Sequence, residues 1–223
     1  MNQREMKGAA TRRDWLAHCS LLGLGLWSAG VKAAAPRGPA TLLVVGDSLS
    51  AEYGIARGSG WVALLEQRLA KEKIAAKVIN ASISGDTTSG GRSRLPALLR
   101  QHRPTHVLIE LGGNDALRGL PLSMTRDNLA AMVKASREAG AKVLLLGMQV
   151  PPNYGRKYGE DFAALFGSVA KAGGAALVPF FLEGVANAAN AEAMFQSDRI
   201  HPVAEAHPVM LGNVWPVLAP LLR

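Results

Sequence analysis

The sequence predicts an α/β fold in which a parallel sheet lies between layers of helices. Short apolar runs alternate along the chain with amphipathic stretches, as strands and helices do in such folds. Several runs, such as Val143–Leu146, are continuously apolar, which is typical of parallel strands buried on both faces. The chain has 223 residues and shows no internal repeat or linker. We therefore expect one domain over residues 36–223.

The individual elements follow from these patterns. Five apolar runs are predicted to form strands: Thr41–Val45, Lys77–Ile83, His106–Leu111, Lys142–Met148 and Ala176–Phe180. Apolar residues at helical spacing predict five helices: Gly60–Lys71, Leu95–Gln101, Arg126–Ala139, Glu160–Ala172 and Val203–Leu222. Pro96 is expected in the first turn of the second helix, where proline is tolerated, and Gly140 is expected to end the third.

The N-terminal segment has the three zones of an export signal. Arg12 and Arg13 come first, an apolar stretch follows over Leu16–Val31, and Ala33–Ala35 offers the small residues that a signal peptidase recognises. We expect a signal peptide over residues 1–35 and a location in the periplasm or outside the cell. The paired arginines favour the twin-arginine route, with a general secretory signal as the alternative. No stable membrane span is expected in the mature chain, because the apolar stretch is short and rich in glycine.

Composition excludes several classes of function. The formal charge of +8 comes without a dense basic run or a basic stripe interleaved with aromatic residues, so nucleic-acid binding is not expected. Cys19 is the only cysteine and lies in the predicted signal, so the mature chain should contain neither a disulfide nor a thiol nucleophile. With five histidines and no pair at ligand spacing, we expect no metal and no other cofactor. The mature chain is expected to be a monomer.

Polar clusters follow the first three predicted strands, and another precedes the last helix. Ser48 follows the first strand within the run Gly-Asp-Ser-Leu-Ser, Gly85 follows the second strand and Asn114 the third. Asp198 and His201 lie three residues apart before the last helix. In open parallel sheets, ligands bind beyond the carboxyl ends of the strands, so we expect these residues to meet at one edge.

These residue types together suit nucleophilic catalysis. A serine hydroxyl needs a base within hydrogen-bond reach, and histidine is the usual base because imidazole titrates near neutral pH. We predict that Ser48 is the nucleophile, His201 its base and Asp198 the carboxylate that orients the imidazole. The backbone N–H groups of Ser48 and Gly85 and the side-chain amide of Asn114 are predicted to form the oxyanion hole. Each residue alone also has a structural interpretation, such as a helix cap or a turn.

The same segments resemble the sequence blocks that define the GDSL or SGNH hydrolase superfamily. The matching blocks are Gly46–Leu49, Gly85, Gly113–Asp115, and Asp198 with His201. Longer segments are similar to the small multifunctional thioesterases of this superfamily, which are also lysophospholipases and arylesterases. These segments are Val78–Asp86, Arg94–Arg100, Glu110–Asp115 and Pro179–Phe181. The resemblance extends over about residues 41–222.

The resemblance implies a flavodoxin-like three-layer α/β/α fold, the SGNH hydrolase fold, with a five-stranded parallel sheet in the order 2-1-3-4-5. It also implies a serine esterase or thioesterase that works through an acyl-enzyme on Ser48 without a cofactor. Its substrates would be acyl or aryl esters, acyl thioesters and lysophospholipids.

A few positions raise separate expectations. Glu52 and Arg199 stand where relatives tend to have glycine, and both are expected to alter substrate preference at the mouth of the site. Asp47 is expected to bond the backbone of its loop and so to position the serine. Glu110 ends a buried strand and is expected to need a partner, for which Arg118 is a candidate.

Apolar residues near the expected mouth favour acyl chains or aryl esters as substrates. The candidate substrate-binding residues are Leu117, Leu120, Val150, Pro151, Tyr154 and Ile200. Packing within the loops is an equally open interpretation of them. A carbohydrate O-acetylesterase and a non-catalytic binding domain remain alternative functions on the same fold. A phosphate-binding protein is not favoured, because the loop after the first strand lacks spaced glycines and a following Lys-Ser or Lys-Thr.

Overall fold

The computed structural model describes residues 38–223 of the chain. Within them, five strands form one parallel sheet in the order β2-β1-β3-β4-β5. They are β1 (Ala40–Gly46), β2 (Ala76–Asn80), β3 (His106–Glu110), β4 (Lys142–Leu146) and β5 (Ala176–Val178). This sheet confirms the predicted fold class and strand order. The predicted signal peptide lies outside the described residues.

Helices cover both faces of the sheet. In the described part of the chain they are α1 (Trp61–Lys71), α2 (Thr88–His102), α3 (Gly113–Leu117), α4 (Leu122–Glu138), α5 (Arg156–Gly173) and α6 (His207–Leu221). Helix α4 packs on both α2 and α5, and α1 packs on α6. Short turns of 3-10 helix occur at Pro152–Tyr154, Ala191–Met194 and Ala204–Ala206. No helix between residues 38 and 223 is long and apolar enough to cross a membrane.

The three central strands supply the middle of the core. Leu42–Val45 of β1, Val107–Ile109 of β3 and Leu144–Leu146 of β4 are all buried. This burial is what the continuous apolar runs predict for strands covered on both faces. The register between β1 and β3 pairs Gly46 with Glu110. The carboxyl ends of these two strands therefore lie side by side, where the polar clusters begin.

Helix α2 begins at Thr88, well before the predicted start at Leu95. Pro96 therefore lies inside the helix and not in its first turn, so the expectation based on this proline was wrong. The helix begins early because the fully buried Asp115 accepts a hydrogen bond from the Thr88 N–H at 2.8 Å. A carboxylate at this position satisfies a backbone donor that has no partner within the helix.

Helix α3 was not predicted from the sequence. Gly112 takes a φ of 122°, a conformation that is open mainly to glycine, and it turns the chain from β3 directly into the helix. This short helix carries Asn114 in its first turn and ends at Leu117. The other predicted elements are confirmed with shifts of a few residues, and the last predicted helix divides into the turn Ala204–Ala206 and α6.

Candidate active site

The turn that follows β1 presents Ser48 at the carboxyl edge of the sheet. A backbone hydrogen bond of 3.3 Å from Ser50 to the carbonyl of Asp47 helps to close this turn. Gly46 is required here, because a Cβ atom would lie 2.7 Å from Ser50 Oγ and 2.8 Å from Glu110 Oε2. Because Gly46 lets the chain approach Glu110 of β3 so closely, the position of Ser48 is fixed relative to the sheet.

Ser48, His201 and Asp198 lie in a hydrogen-bonded row. Ser48 Oγ is 2.9 Å from His201 Nε2, and His201 Nδ1 is 2.7 Å from Asp198 Oδ2. Because a carboxylate only accepts hydrogen bonds, Nδ1 carries the proton, and Nε2 is left to accept from the serine hydroxyl. The fold thus brings together a serine and a histidine that are 153 positions apart.

The backbone around Asp198 stabilises its ionised form. Asp198 Oδ1 accepts hydrogen bonds from the N–H groups of Ile200 at 2.9 Å and His201 at 3.0 Å. The N–H of His201, its imidazole and the N–H of Ile200 lower the pKa of Asp198 to about 2. Asp198 is therefore a carboxylate at neutral and mildly acidic pH, as an acceptor for the imidazole proton must be.

The residues predicted to bind an oxyanion lie at the same edge of the sheet, Ser48 and Gly85 on turns and Asn114 in the first turn of α3. Within residues 38–223 the backbone N–H groups of Ser48 and Gly85 donate to no protein acceptor, which leaves both available to a ligand. Asn114 donates one amide hydrogen to Asp47 Oδ2 at 3.0 Å and keeps a second one. Among the same residues, no group of three or more His, Cys, Asp or Glu side chains is placed to hold a metal ion.

Asp47 joins Asn114 to the turn at residues 47–50, here called the nucleophile turn after the predicted role of Ser48. Its Oδ1 accepts from the Leu49 N–H at 3.1 Å, so it bonds the loop backbone as predicted, and its Oδ2 accepts from the Asn114 amide. An acceptor-only carboxylate decides which end of that amide points toward it. Burial raises the pKa of Asp47 to about 6, and the hydrogen bonds from Leu49 and Asn114 oppose this rise.

Glu110 has Ser50 as its partner and not Arg118. Its side chain is fully buried, and its Oε2 accepts from Ser50 Oγ at 2.7 Å and from the Asp47 N–H at 3.3 Å. The expected pairing with Arg118 was wrong, because the guanidinium of Arg118 donates to the carbonyl of Gly85 at 2.7 Å. The buried Glu110 side chain therefore stabilises the nucleophile turn. Arg118 links α3 to the turn that carries Gly85.

Trp61 and His207 extend this buried network toward α1 and α6. Trp61 Nε1 donates to Ser50 Oγ at 3.1 Å, and the Trp61 N–H donates to His207 Nδ1 at 3.0 Å. Burial lowers the pKa of His207 to about 4, so this imidazole is a neutral acceptor at the start of α1 at neutral pH. The roles of Ser50, Trp61 and His207 could not be predicted from the sequence, because their partners are distant in the chain and form no motif.

We expect glutamine at position 110 to change how stability depends on pH. Burial, and after it the charge of Asp47, raise the pKa of Glu110 well above its ordinary value. The folded protein thus keeps a proton that the unfolded chain releases above about pH 4.3. The free energy of unfolding therefore falls as pH rises from that point through the folded-state pKa. Because Glu110→Gln removes this loss, the Tm of the variant relative to that of the wild type should increase as pH rises above about 4.3.

Calorimetric scans across this pH range measure the difference in Tm between Glu110→Gln and the wild type. Glu66→Gln is the matched control, because Glu66 is exposed on α1 and the same substitution there removes a solvated carboxylate. A difference in Tm for Glu110→Gln that stays constant with pH would argue that Glu110 is ionised in the folded protein.

An ion pair holds the Gly85 turn against the end of β1. Arg94 Nε lies 2.8 Å from Asp86 Oδ2, and both side chains are largely buried. The guanidinium also donates to the backbone carbonyls of Ala81 and Gly46, the latter at 3.3 Å. Arg94 thus fixes the position of one predicted oxyanion donor relative to the nucleophile turn.

Glu52 and Arg199, the two residues expected to stand in place of glycine, both have left-handed backbones. Their φ angles are 59° and 58°, a region that favours glycine. Glu52 Oε1 accepts from the N–H groups of Gly58 and Gly60, each at 2.9 Å, at the start of α1. Arg199 pairs with Glu192 at 2.9 Å, and both side chains are exposed. These contacts give Glu52 a structural role, while an effect of either residue on substrate preference stays a prediction.

Position 199 should prefer glycine to alanine. A left-handed backbone costs an L-residue with a Cβ about 1–2 kcal/mol, so Arg199→Gly should be about 1 kcal/mol more stable than Arg199→Ala. Chemical denaturation of the two variants measures this difference directly. At Lys134, an exposed position within α4, the order should reverse, because glycine is less favourable than alanine in a helix by about 1 kcal/mol. If the glycine and alanine variants had the same order of stability at both positions, the backbone strain inferred at Arg199 would be wrong.

The six candidate substrate-binding residues differ in exposure. Leu117 and Ile200 are exposed to 43% and 45%, which suits side chains that await a ligand. Leu120 is half-buried, and Pro151 is exposed. Val150 packs against the core, and the Tyr154 ring stacks on that of Tyr158 with centroids 6.3 Å apart. These last two contacts agree with the alternative of packing within the loop.

Tyr53 belongs to this edge of the sheet, although the sequence analysis did not assign it to the site. Its N–H donates a hydrogen bond of 3.3 Å to the Ser48 carbonyl, so the backbone of Tyr53 is tied to the nucleophile turn. Its ring centroid lies 4.3 Å from that of His201, with the two planes at 37°. The only sequence signal is an aromatic residue shortly after the candidate nucleophile.

The fold and the site together define the class of the protein. A parallel sheet of this order, with a serine, a histidine and an aspartate in contact at its carboxyl edge, is that of an α/β serine hydrolase that acts on ester bonds. The profile of the GDSL-like lipase/acylhydrolase family matches residues 44–209. The chain belongs to this family.

Relatives of known name span most of the chain. It is 56% identical over 182 residues to Esterase TesA of Pseudomonas aeruginosa, a match that covers 82% of this chain and 89% of that protein. It is 42% identical over 183 residues to Thioesterase 1/protease 1/lysophospholipase L1 of Escherichia coli K12, covering 82% and 85% of the two chains. A crystal structure of TesA superimposes with a TM-score of 0.78 and 56% identity, covering 81% of this chain and 99% of that one.

Proposed function

We propose that the protein hydrolyses acyl and aryl esters, acyl thioesters and lysophospholipids through an acyl-enzyme on Ser48. One observation carries this proposal: Ser48 Oγ lies 2.9 Å from His201 Nε2, whose other ring nitrogen lies 2.7 Å from Asp198. A nucleophile, its base and the group that orients the base are thus within hydrogen-bond distance before any substrate binds. The names of the two relatives agree with ester and thioester substrates.

In the acylation step, Ser48 Oγ attacks the carbonyl carbon while its proton passes to His201 Nε2. The carbonyl oxygen becomes an oxyanion that would accept hydrogen bonds from the N–H groups of Ser48 and Gly85 and from the Asn114 amide. Each such donor is worth about 2.7–4 kcal/mol in the transition state. The oxyanion then collapses, the bond to the alcohol or thiol breaks, and the leaving group takes the proton from His201.

Deacylation repeats the sequence with water as the nucleophile. His201 Nε2 takes a proton from water as the oxygen attacks the acyl carbon, and it returns that proton to Ser48 Oγ when the acid leaves. Asp198 remains ionised throughout, because its low pKa of about 2 keeps it an acceptor for the Nδ1 proton. Neither the acylation step nor the deacylation step described here requires a cofactor.

We further propose that the chain is exported to the periplasm and that the mature protein is a monomer. The support for export is the order of zones in the sequence, with Arg12 and Arg13 before the apolar stretch Leu16–Val31 and small residues at Ala33–Ala35. Fractionation of the native host, followed by N-terminal sequencing of the periplasmic protein, tests the location and the cleavage site. A full-length chain in the cytoplasm would contradict export.

The loop after Asn114 should select acyl chain length. Leu117 is exposed at the end of α3 and Leu120 is half-buried beyond it, so both side chains would cover an acyl chain that runs along this loop. Each buried methylene contributes about 0.8 kcal/mol, so contacts along several carbons change preference strongly. Leu117→Ala and Leu120→Ala should lower kcat/KM for p-nitrophenyl octanoate by about fivefold more than for p-nitrophenyl acetate.

A series of p-nitrophenyl esters of rising chain length, together with an acyl-CoA and a lysophospholipid, tests this expectation and the substrate range. Leu98→Ala is the matched control, since Leu98 is also half-buried but lies toward the end of α2 that points away from the site. It should lower stability without changing chain-length preference. Equal losses across the series in the Leu117 and Leu120 variants would show that this loop is only scaffold.

A further inference from the structure

Tyr53 is a half-exposed aromatic residue beside the candidate base. Within residues 38–223, the large apolar side chains that stay exposed are Tyr53, Ile83, Leu117 and Ile200, with Tyr53 at 50%. Each lies on a segment that also carries or adjoins a proposed site residue. Tyr53 and Ile200 are the two that adjoin the loops of Ser48 and His201, and exposed apolar side chains beside a site are typical of a binding surface.

The position of Tyr53 is fixed from two sides. Its own N–H bonds the Ser48 carbonyl, which ties it to the nucleophile turn. Its carbonyl accepts from Gln196 Nε2 at 2.9 Å, and the Gln196 N–H donates to the His201 carbonyl at 2.8 Å. One glutamine thus links the backbone of Tyr53 to the loop of the base. The ring is therefore set against the imidazole before any substrate binds.

The proton transfers decide which part of the substrate meets this ring. The oxygen that leaves in acylation must receive its proton from His201 Nε2, so the released group lies beside the imidazole. The oxyanion lies instead by the proposed donors of Gly85 and Asn114, on other strand ends. Tyr53 stands beside the imidazole, with ring centroids 4.3 Å apart. The group next to Tyr53 is thus the leaving group.

We propose that Tyr53, together with Ile200, forms a leaving-group subsite that favours aromatic alcohols, an inference that rests on the proposed function. Ile200 directly precedes His201 in the chain and is 45% exposed, so it offers a second apolar surface next to the base. An aryl leaving group would pack against the tyrosine ring in an offset or edge-to-face arrangement. Aliphatic alcohols of similar acidity lack the flat face that this contact needs.

Two acetate esters separate this contact from other effects of Tyr53. 2-Naphthyl acetate and hexafluoroisopropyl acetate release alcohols of similar acidity and form the same acetyl-enzyme, so kcat/KM reports only acylation and leaving-group binding. Tyr53→Ala should lower the ratio of kcat/KM for the aryl ester over the alkyl ester about fivefold, the size of an aromatic contact. Tyr53→Phe keeps the ring and should keep the ratio.

Ile83→Ala is the matched control, because Ile83 is 53% exposed and lies on the turn that leads to Gly85. It should change the ratio less than twofold. If Tyr53→Ala lowers kcat/KM equally for both esters, the ring acts on His201 and the subsite is wrong. An unchanged ratio in Tyr53→Leu, should the alanine variant not fold, overturns it as well. Hydrolysis of both esters that survives Ser48→Ala would instead overturn the proposed function.

Discussion

Replacement of Ser48 by alanine is expected to lower kcat/KM for ester hydrolysis by a factor on the order of 10⁴ to 10⁶ while the protein stays folded. Alanine removes the hydroxyl oxygen that lies 2.9 Å from His201 Nε2 and that would form the acyl-enzyme. Ser48 is only slightly exposed and its side chain is small, so its loss leaves no large cavity.

Steady-state hydrolysis of p-nitrophenyl acetate by Ser48→Ala, with circular dichroism and Tm as measures of folding, tests this result. Ser84→Ala is the control, because Ser84 is an exposed serine on the neighbouring turn. It should keep kcat/KM within a few-fold of wild type. Residual activity of Ser48→Ala near the wild-type level would mean that another residue is the nucleophile.

His201→Ala should be nearly as damaging as Ser48→Ala, and the double variant should be no worse than either. A serine without its base is a poor nucleophile, and a base without its serine has nothing to activate, so the two losses are not additive. In the wild type, kcat/KM should rise with pH, because a general base accepts a proton only in its unprotonated form. This rise should be much smaller in His201→Ala.

Rates of the two single variants and of the double variant, measured from about pH 5 to pH 9, test the coupling. Asn80→Ala serves as a control for a polar residue near the edge, since its side chain bonds the backbone of Ser50 and Ser82 and not the imidazole of His201. Its activity should keep the wild-type pH profile. Multiplicative losses in the double variant, or a pH dependence of His201→Ala identical to that of the wild type, would count against His201 as the base of Ser48.

Most of the fold and the central residues of the site could be predicted because their signals are local. Continuous apolar runs indicate the buried strands, and the carboxyl-end rule brings Ser48, Gly85 and Asn114 to one edge. The spacing of Asp198 and His201 already lets the carboxylate reach the imidazole, and the structure has this contact at 2.7 Å.

What the sequence did not predict depends on contacts between distant residues. The early start of α2 needs the buried Asp115, and Ser50 meets Glu110 from 60 positions away. The pairing of Trp61 with His207 spans 146 positions. Such pairs appear only when the sheet and its helices are assembled. Pro96 misled the prediction because a proline inside a helix looks, in sequence, like one at a helix start.

The central claim, that Ser48 is the nucleophile activated by His201, is tested most directly by mass spectrometry after treatment with a fluorophosphonate. This reagent phosphonylates an activated serine hydroxyl and stays attached. We expect one adduct per chain, located on Ser48, absent in Ser48→Ala and formed far more slowly in His201→Ala. An adduct on Ser50 or Ser84, or an adduct on Ser48 that forms at the wild-type rate without His201, would contradict this claim.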